Sequence, residues 1–197
     1  MACLTKRPAR VPVRSSEAHN LKTKLGAIAL TLSTALATLT GCSMTDTTSS
    51  DDIPSSGIST SSDAAEDTKQ ASSELYNLIG LEGKASNTGP GVKECGKKDP
   101  EKYFQIFHSW SFTPSSLQQL EGTMERLKAE LPKHGWKVVD YGPDSSRNKN
   151  LSLTADNDTK KFSVNLTYQA KDKPPNLNFF VVSGCYQIPD GQKIEQF

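Results

Sequence analysis

The run from Tyr103 to Phe112, YFQIFHSWSF, constrains the fold more than any other segment. Every second position in it carries an apolar or ring side chain: Phe104, Ile106, His108, Trp110 and Phe112. Because side chains alternate between the two faces of a strand, this spacing predicts a β-strand with one buried face. A sheet is therefore the expected centre of the fold.

The segment that follows this strand has the spacing of a helix. Thr113-Pro114 is typical of a helix start, and Pro132 and Gly135 are typical of an end. Between them, apolar residues recur on one helical face: Leu117, Leu120, Met124, Leu127 and Leu131. We predict one amphipathic helix that begins at Pro114, with Thr113 as its cap, and ends before Gly135.

Four further alternating runs predict strands: Trp136 to Tyr141, Leu151 to Ala155, Phe162 to Tyr168 and Asn176 to Tyr186. The predicted order is β-α-β-β-β-β, in which strands and helix are segregated. Such an order predicts an α+β fold with a single, mostly antiparallel β-sheet and one long helix packed on one face.

Residues 1 to 41 have the pattern of a lipoprotein signal peptide. A basic segment precedes the uncharged run from Leu25 to Leu39, which is shorter than the roughly 20 residues that a spanning helix needs. The next residues, Thr40-Gly41-Cys42, complete a sequence that resembles a lipobox, in which the cysteine receives the lipid. We predict a lipid anchor with palmitate-type acyl chains on Cys42; the alternative is a plain secretory signal with an incidental cysteine.

The segment from 42 to 73 is predicted to be a disordered tether. Of the 31 residues from Ser43 to Ser73, 15 are Ser or Thr, and few are large and apolar. Such a composition buries too little surface to offset the loss of chain entropy. The folded domain is therefore expected at 74 to 197. The net charge of +1 and pI near 7.6 give no basic field, so we expect no nucleic acid partner.

The cysteines of the domain predict one disulfide. Cys3 leaves with the signal peptide and Cys42 takes the lipid, so Cys95 and Cys185 remain in an exported domain. The alternative, a zinc site with His108 and His134, lacks the usual ligand spacing. We expect no metal and no cofactor.

Several segments resemble a group of small secreted lipoproteins of actinobacteria whose own function is uncharacterised. They are NTGPGVKEC, HSWSF, ELPKHGWKVVDYGPDSS, LTADNDTKKFSVNL and VVSGCYQIPDG, and the resemblance covers nearly all of residues 74 to 191. It implies an anchor on the outer face of the cytoplasmic membrane. It implies no reaction.

Catalytic motifs are missing from the sequence. A hydrolase would combine His108 with Asp140 and Ser145 or Ser146, but no nucleophile elbow, HExxH motif, P-loop or dinucleotide-binding pattern occurs. The turn from Gly142 to Ser146 is either an anion-binding nest or a plain connection between strands. We therefore predict that the protein is not an enzyme.

The second face of the predicted sheet is rich in aromatic residues. Alternation assigns to it Tyr103, Phe107, Val139, Tyr141, Phe180, Val182 and Tyr186. Either the segment from Leu75 to Leu81 packs over this face, or it is an exposed groove for a ligand. The candidate binding face consists of Tyr103, Phe107, Tyr141, Phe180 and Tyr186.

These observations predict a monomeric, membrane-anchored, extracytoplasmic lipoprotein whose domain binds an envelope protein or a small ligand. One alternative is an enzyme that uses His108 or the Gly142 to Ser146 turn. Another is a structural or secretion-accessory protein of the envelope, which predicts a covered second face with no pocket.

Overall fold

The computed structural model describes residues 53 to 120 and 122 to 197. The predicted signal peptide, the predicted lipidation site Cys42 and the first part of the predicted tether lie outside the described residues. Among the described residues, no helix is long and apolar enough to span a bilayer.

The described residues contain nine strands in one sheet. The strands are β1 (Ser55–Ile58), β2 (Gly83–Ala85), β3 (Gly91–Glu94), β4 (Tyr103–Pro114), β5 (Lys137–Pro143), β6 (Leu151–Asn157), β7 (Phe162–Gln169), β8 (Asn176–Ser183) and β9 (Cys185–Gln187). Their order is β1-β9-β4-β8-β7-β6-β5, and β2 and β3 also pair with β4. All pairs are antiparallel except β1 with β9, so the predicted α+β class and mostly antiparallel sheet are confirmed.

The longest helix, α1, spans Ser61–Ile79 and lies where the sequence predicted a tether. The prediction of disorder is therefore wrong for Ser55 to Ser73. Thr60 caps the helix by accepting a hydrogen bond from the Asp63 amide at 3.1 Å, and Gly80 ends it in the left-handed conformation. Small residues form most of its buried stripe: Ser61, Ala64, Ala65, Thr68, Ala71 and Ser72, followed by Leu75 and Ile79. These small residues let the helix approach the sheet closely. The segment therefore lacks the large apolar residues by which a folded segment is identified from its composition.

The predicted helix is broken into three pieces, and its predicted start at Thr113-Pro114 is wrong, because these two residues end strand β4. A 3₁₀ turn at Leu117–Leu120 precedes helix α2 at Thr123–Glu130, and a second 3₁₀ turn follows at Leu131–His134. The break coincides with Gly122, which has a left-handed φ of 75°. A residue in this conformation does not continue a right-handed helix, so the 3₁₀ turn and α2 are separate. The apolar stripe is nevertheless largely as predicted, because all its members except the exposed Leu117 are buried.

Both helices cover the same face of the sheet. The main core includes Leu75 and Ile79 of α1, Met124 and Leu127 of α2, and inward-facing residues of β4, β6, β7 and β8. A smaller cluster lies under the first half of α1 and comprises Ala64, Ala65, Phe104, Ile106, Tyr186 and Ile188. The sheet is therefore covered on one face only by the described helices.

The Cys95–Cys185 disulfide is confirmed. The two Cα atoms are 5.7 Å apart, and 90 residues separate the cysteines in sequence. The bond joins the residue after β3 to the first residue of β9, and both cysteines are buried. It therefore ties the edge formed by β3 to the strand against which β1 pairs.

Candidate functional site

The predicted binding face is assembled only in part. Phe107 of β4 is opposite Val182 of β8, and its ring stacks on that of Phe180 with 5.9 Å between centroids. Gly91 of β3 is opposite Phe107 and leaves room for the ring, since a Cβ there would be 2.7 Å from it. Most other strand residues on this face are polar, as at Ser109, which pairs with Phe180. What remains is a small apolar patch of Phe107, Phe180 and Val182.

Tyr141 lies on the helix-covered face, contrary to the prediction. Val138 pairs with Ala155 and Asp140 pairs with Thr154, so Val139 is an extra residue in a β-bulge. The bulge reverses the alternation and turns Tyr141 towards α2, where its hydroxyl donates to Glu125 Oε1 at 2.8 Å. Burial, and next the Glu125 hydrogen bond, raise the pKa of Tyr141 to about 12.

Tyr186 also lies on the covered face, because the chain changes phase between β8 and β9 at Gly184. Tyr186 pairs with Phe104, its ring stacks on that of Phe104 at 5.7 Å, and it is buried. Tyr103 stays on the second face but apart from the Phe107 patch, with the Lys98 ammonium 5.2 Å from its ring centroid. The five predicted residues thus do not form one face.

The segment from Leu75 to Leu81 does not cover the second face. Leu75 and Ile79 belong to the core on the opposite face, and Leu78 and Leu81 pack against that same core. The expectation that this segment packs over the second face is therefore wrong. The segment lies on the opposite face because it belongs to α1, which packs on the side of Phe104, Trp110 and Phe112.

A groove with a volume of about 490 Å³ opens beside α1 on the covered face. One wall is the second half of α1, with Lys69, Ser72, Ser73, Tyr76 and Asn77, and the other is Ala85 with Ser86 at the end of β2. His108 and Trp110 of β4 also line it. Below, "the groove" means this site.

His108 has a hydrogen-bond partner on each ring nitrogen. Nε2 is 3.0 Å from the Thr88 carbonyl oxygen and Nδ1 is 2.9 Å from Ser72 Oγ. Because a carbonyl only accepts, Nε2 carries the hydrogen and Nδ1 accepts from the Ser72 hydroxyl. Burial lowers the pKa of His108; the Thr88 hydrogen bond opposes this shift, and the Lys69 charge adds to it. The ring is therefore neutral at pH 7.

Trp110 contributes a hydrogen-bond donor that has no acceptor. Its ring stacks on Phe179 with centroids 4.0 Å apart, and the residue is 5% exposed. The indole Nε1 is buried without a hydrogen-bond partner. Among the buried side-chain nitrogen and oxygen atoms described, only Ser56 Oγ is also without one. An unpaired buried donor costs free energy, so Trp110 is the polar group at the groove that most needs a partner.

Among the described residues that line the groove, Lys69 is the one charged side chain and none is acidic. The Lys69 ammonium is 2.6 Å from Glu66 Oε1, and both side chains are largely exposed. Tyr76, 37% exposed, supplies an aromatic wall, with its ring centroid 6.2 Å from that of Trp110. The groove therefore combines a single positive charge, unsatisfied donor capacity and an accessible ring.

The predicted hydrolase residues are not brought together. His108 is on β4, whereas Asp140 is on β5, and β8, β7 and β6 lie between these strands. In the turn from Gly142 to Ser146, the Asp144 carboxylate accepts hydrogen bonds from the amide and hydroxyl of Ser146 at 3.0 and 2.6 Å. The Ser146 hydroxyl bond is the main cause that lowers the Asp144 pKa. Both Ser146 donors are therefore used by Asp144, and the Asp144 amide donates to the Asn150 carbonyl oxygen, as in a plain connection.

Most groove residues were not predicted from the sequence. The alternation places His108 and Trp110 on the apolar face of their strand, but Lys69 and Ser72 lie in the segment predicted to be a tether, and Tyr76 lies at the start of the predicted domain. The signals that identify this helix are the capping pair Thr60 and Asp63 and the terminal Gly80. No group of three or more His, Cys, Asp or Glu residues within the described ranges is arranged to hold a metal ion.

Comparisons of the chain with protein-family models, with curated proteins and with solved structures give no significant match.

Proposed function

We propose that this protein is a membrane-anchored extracytoplasmic lipoprotein that binds a small ligand in the groove and catalyses no reaction. The observation that carries the binding proposal is Trp110, whose buried indole N–H has no acceptor and whose side chain lines the groove. A ligand that offers an acceptor removes this cost, because it supplies the missing hydrogen bond.

The anchor is supported by the sequence from Leu39 to Cys42, and an exported location is supported by the disulfide, since such bonds persist in oxidising compartments. Cys42→Ala in the producing cell should move the protein from the membrane fraction to the medium. Persistence of the variant in the detergent phase after phase partition would contradict the lipid anchor.

Binding is tested through the two tryptophans of the chain, which give two indole N–H signals in a nitrogen-15 spectrum. Trp110 lines the groove, while Trp136 is 2% exposed in the core and serves as the internal control. The full chain in detergent micelles is titrated with neutral, cationic and anionic small molecules. A ligand of the groove shifts the Trp110 signal and leaves the Trp136 signal in place. If no compound does so, a structural or accessory role replaces the binding function.

A second candidate function, a serine hydrolase, is favoured by the chain of contacts from Ser72 through His108 to the Thr88 carbonyl. A nucleophile, a base and a group that orients the base occur in this order in such enzymes. Ser72, however, is 5% exposed within a helix, where its approach to a substrate is poor. Labelling with a fluorophosphonate, with Ser72→Ala as the control, separates the two functions: a label that depends on Ser72 establishes the enzyme.

A further inference from the structure

We infer that the ligand of the groove carries a carboxylate, which Trp110 Nε1–H and the Lys69 ammonium bind together. The inference rests on the proposed binding function and names the chemical class of the ligand. It covers a free small carboxylate and the terminal carboxylate of a peptide, which present the same group.

The donors of the groove determine this class. Trp110 Nε1 can only donate, and a lysine ammonium has three donors and no acceptor. Ser72 and His108 satisfy each other, and the second nitrogen of His108 is used by Thr88. Ser73 and Asn77 also line the groove and can accept hydrogen bonds, but Trp110 Nε1 and the Lys69 ammonium can only donate. An acceptor group on the ligand therefore satisfies both of these donors, whereas an ammonium group satisfies neither.

Charge favours a carboxylate over a neutral carbonyl. Lys69 is the only charged residue in the described lining of the groove, since His108 is neutral at pH 7. Its present partner Glu66 is already a carboxylate, and an exposed pair of this kind contributes little to stability. Lys69 can therefore turn to a second carboxylate at small cost, and charged hydrogen bonds are about twice as strong as neutral ones.

The body of the ligand is expected to lie against Tyr76. Its ring is exposed and faces the groove beside Ala85, which is partly buried against the main core. Trp110 Nε1 is itself buried, so side chains that line the groove have to shift before the carboxylate reaches it. A carboxylate with a ring or short aliphatic body meets both requirements.

The test compares benzoate, benzamide and benzylamine on the full chain in detergent micelles, using the two indole signals. Benzoate should shift the Trp110 signal with at least a tenfold lower Kd than benzamide, and benzylamine should leave it in place. N-acetyl-alanyl-alanine and its terminal amide form a second pair. A response to the peptide acid but not to benzoate assigns the carboxylate to a peptide, whereas the reverse assigns it to a small molecule.

Two variants examine the named donors. Lys69→Met should weaken benzoate binding about tenfold, which corresponds to roughly 1.4 kcal/mol. Lys133→Met is the matched control, because Lys133 pairs with Glu130 at 2.8 Å in the same three-residue spacing but lies outside the groove. Trp110→Phe keeps a ring and removes the N–H. This substitution should also weaken benzoate binding several-fold. Because the indole signal is lost in this variant, binding is measured from the backbone amide signals of Ala85 and Ser86.

The outcomes separate the inference from the proposed function. If benzamide or benzylamine shifts the Trp110 signal as strongly as benzoate, the groove binds ligands but the carboxylate inference is overturned. Equal effects of Lys69→Met and Lys133→Met on benzoate binding overturn the inference as well, because benzoate is then attracted by the overall charge of the protein and not by Lys69 in particular. If no compound of any charge shifts the signal, both the inference and the binding function fail.

Discussion

The two faces of β4 differ in what covers them. On one face, Phe104, Trp110 and Phe112 are buried under α1. On the other, Phe107 meets Phe180 and Val182, Tyr103 lies apart from them, and most of the remaining residues are polar. The covered face nevertheless holds the groove and its unpaired donor, whereas the open face has already paired its aromatic rings. Exposure of aromatic residues is thus a poorer guide to a binding site in this protein than an unsatisfied polar group beside a helix.

The largest expected effect is a difference in stability between substitutions at the neighbours Phe179 and Phe180, because their side chains point to opposite faces of the sheet. Phe179→Ala removes a buried ring from beneath Trp110 and should lower the free energy of unfolding by about 3 to 5 kcal/mol. Phe180→Ala should cost about 1 kcal/mol, because it loses only the stacking on Phe107. Denaturant unfolding of both variants measures the contrast, and equal losses would show that the second face is also covered.

Gly184 joins β8 to β9, and at this residue the alternation of side chains between the two faces of the sheet is shifted by one residue. A Cβ at this position would collide with the Pro54 carbonyl oxygen, which accepts the hydrogen bond of the Cys185 amide. Gly184→Ala should therefore displace β1 and cost about 1 to 3 kcal/mol. Hydrogen exchange at Cys185 should become faster.

Gly142→Ala is the control for this substitution, because a Cβ at Gly142 meets nothing within 4 Å. It should change stability by less than about 0.5 kcal/mol. A Gly184→Ala variant as stable as this control would mean that β1 is not held against β9.

The helix that covers the sheet depends on its cap. Thr60→Ala removes the acceptor of the Asp63 amide and should lower stability by about 1 kcal/mol. Ser62→Ala, an exposed change in the first turn of α1, is the control and should have little effect. Equal thermal unfolding of the two variants would contradict an ordered helix start at Thr60.

The smallest expected effect is a pH dependence from His108. Burial lowers its folded pKa below the unfolded value, so the unfolded chain binds the proton more readily. The contribution of His108 to stability is therefore present above the unfolded pKa of about 6.5 and is lost as the pH falls through the folded pKa.

His108→Gln should flatten the stability profile in this pH window, measured by denaturant unfolding at several pH values. His134→Gln is the control, because His134 is exposed. An unchanged profile in the His108 variant would show that the ring is not buried between α1 and β4.

The central strand was predictable because its alternation is long and unbroken. Tyr141 and Tyr186 were assigned to the wrong face because a single extra residue at Val139, and the change of phase at Gly184, reverse the alternation. No composition or spacing signals either event, since both depend on the neighbouring strands. Helix α1 was missed for a different reason: its buried stripe of small residues resembles the composition of a linker.

The position of α1 also decides which fragments of this chain would stay in solution. A cut at Glu74, where the composition changes, would remove β1 and the first 13 residues of the helix. Phe104, Ile106 and Tyr186 would then lose the cover of Ala64 and Ala65 and form an exposed apolar surface on strands with a free edge. Such a fragment would self-associate, whereas cleavage before Ile53 would release the described domain whole.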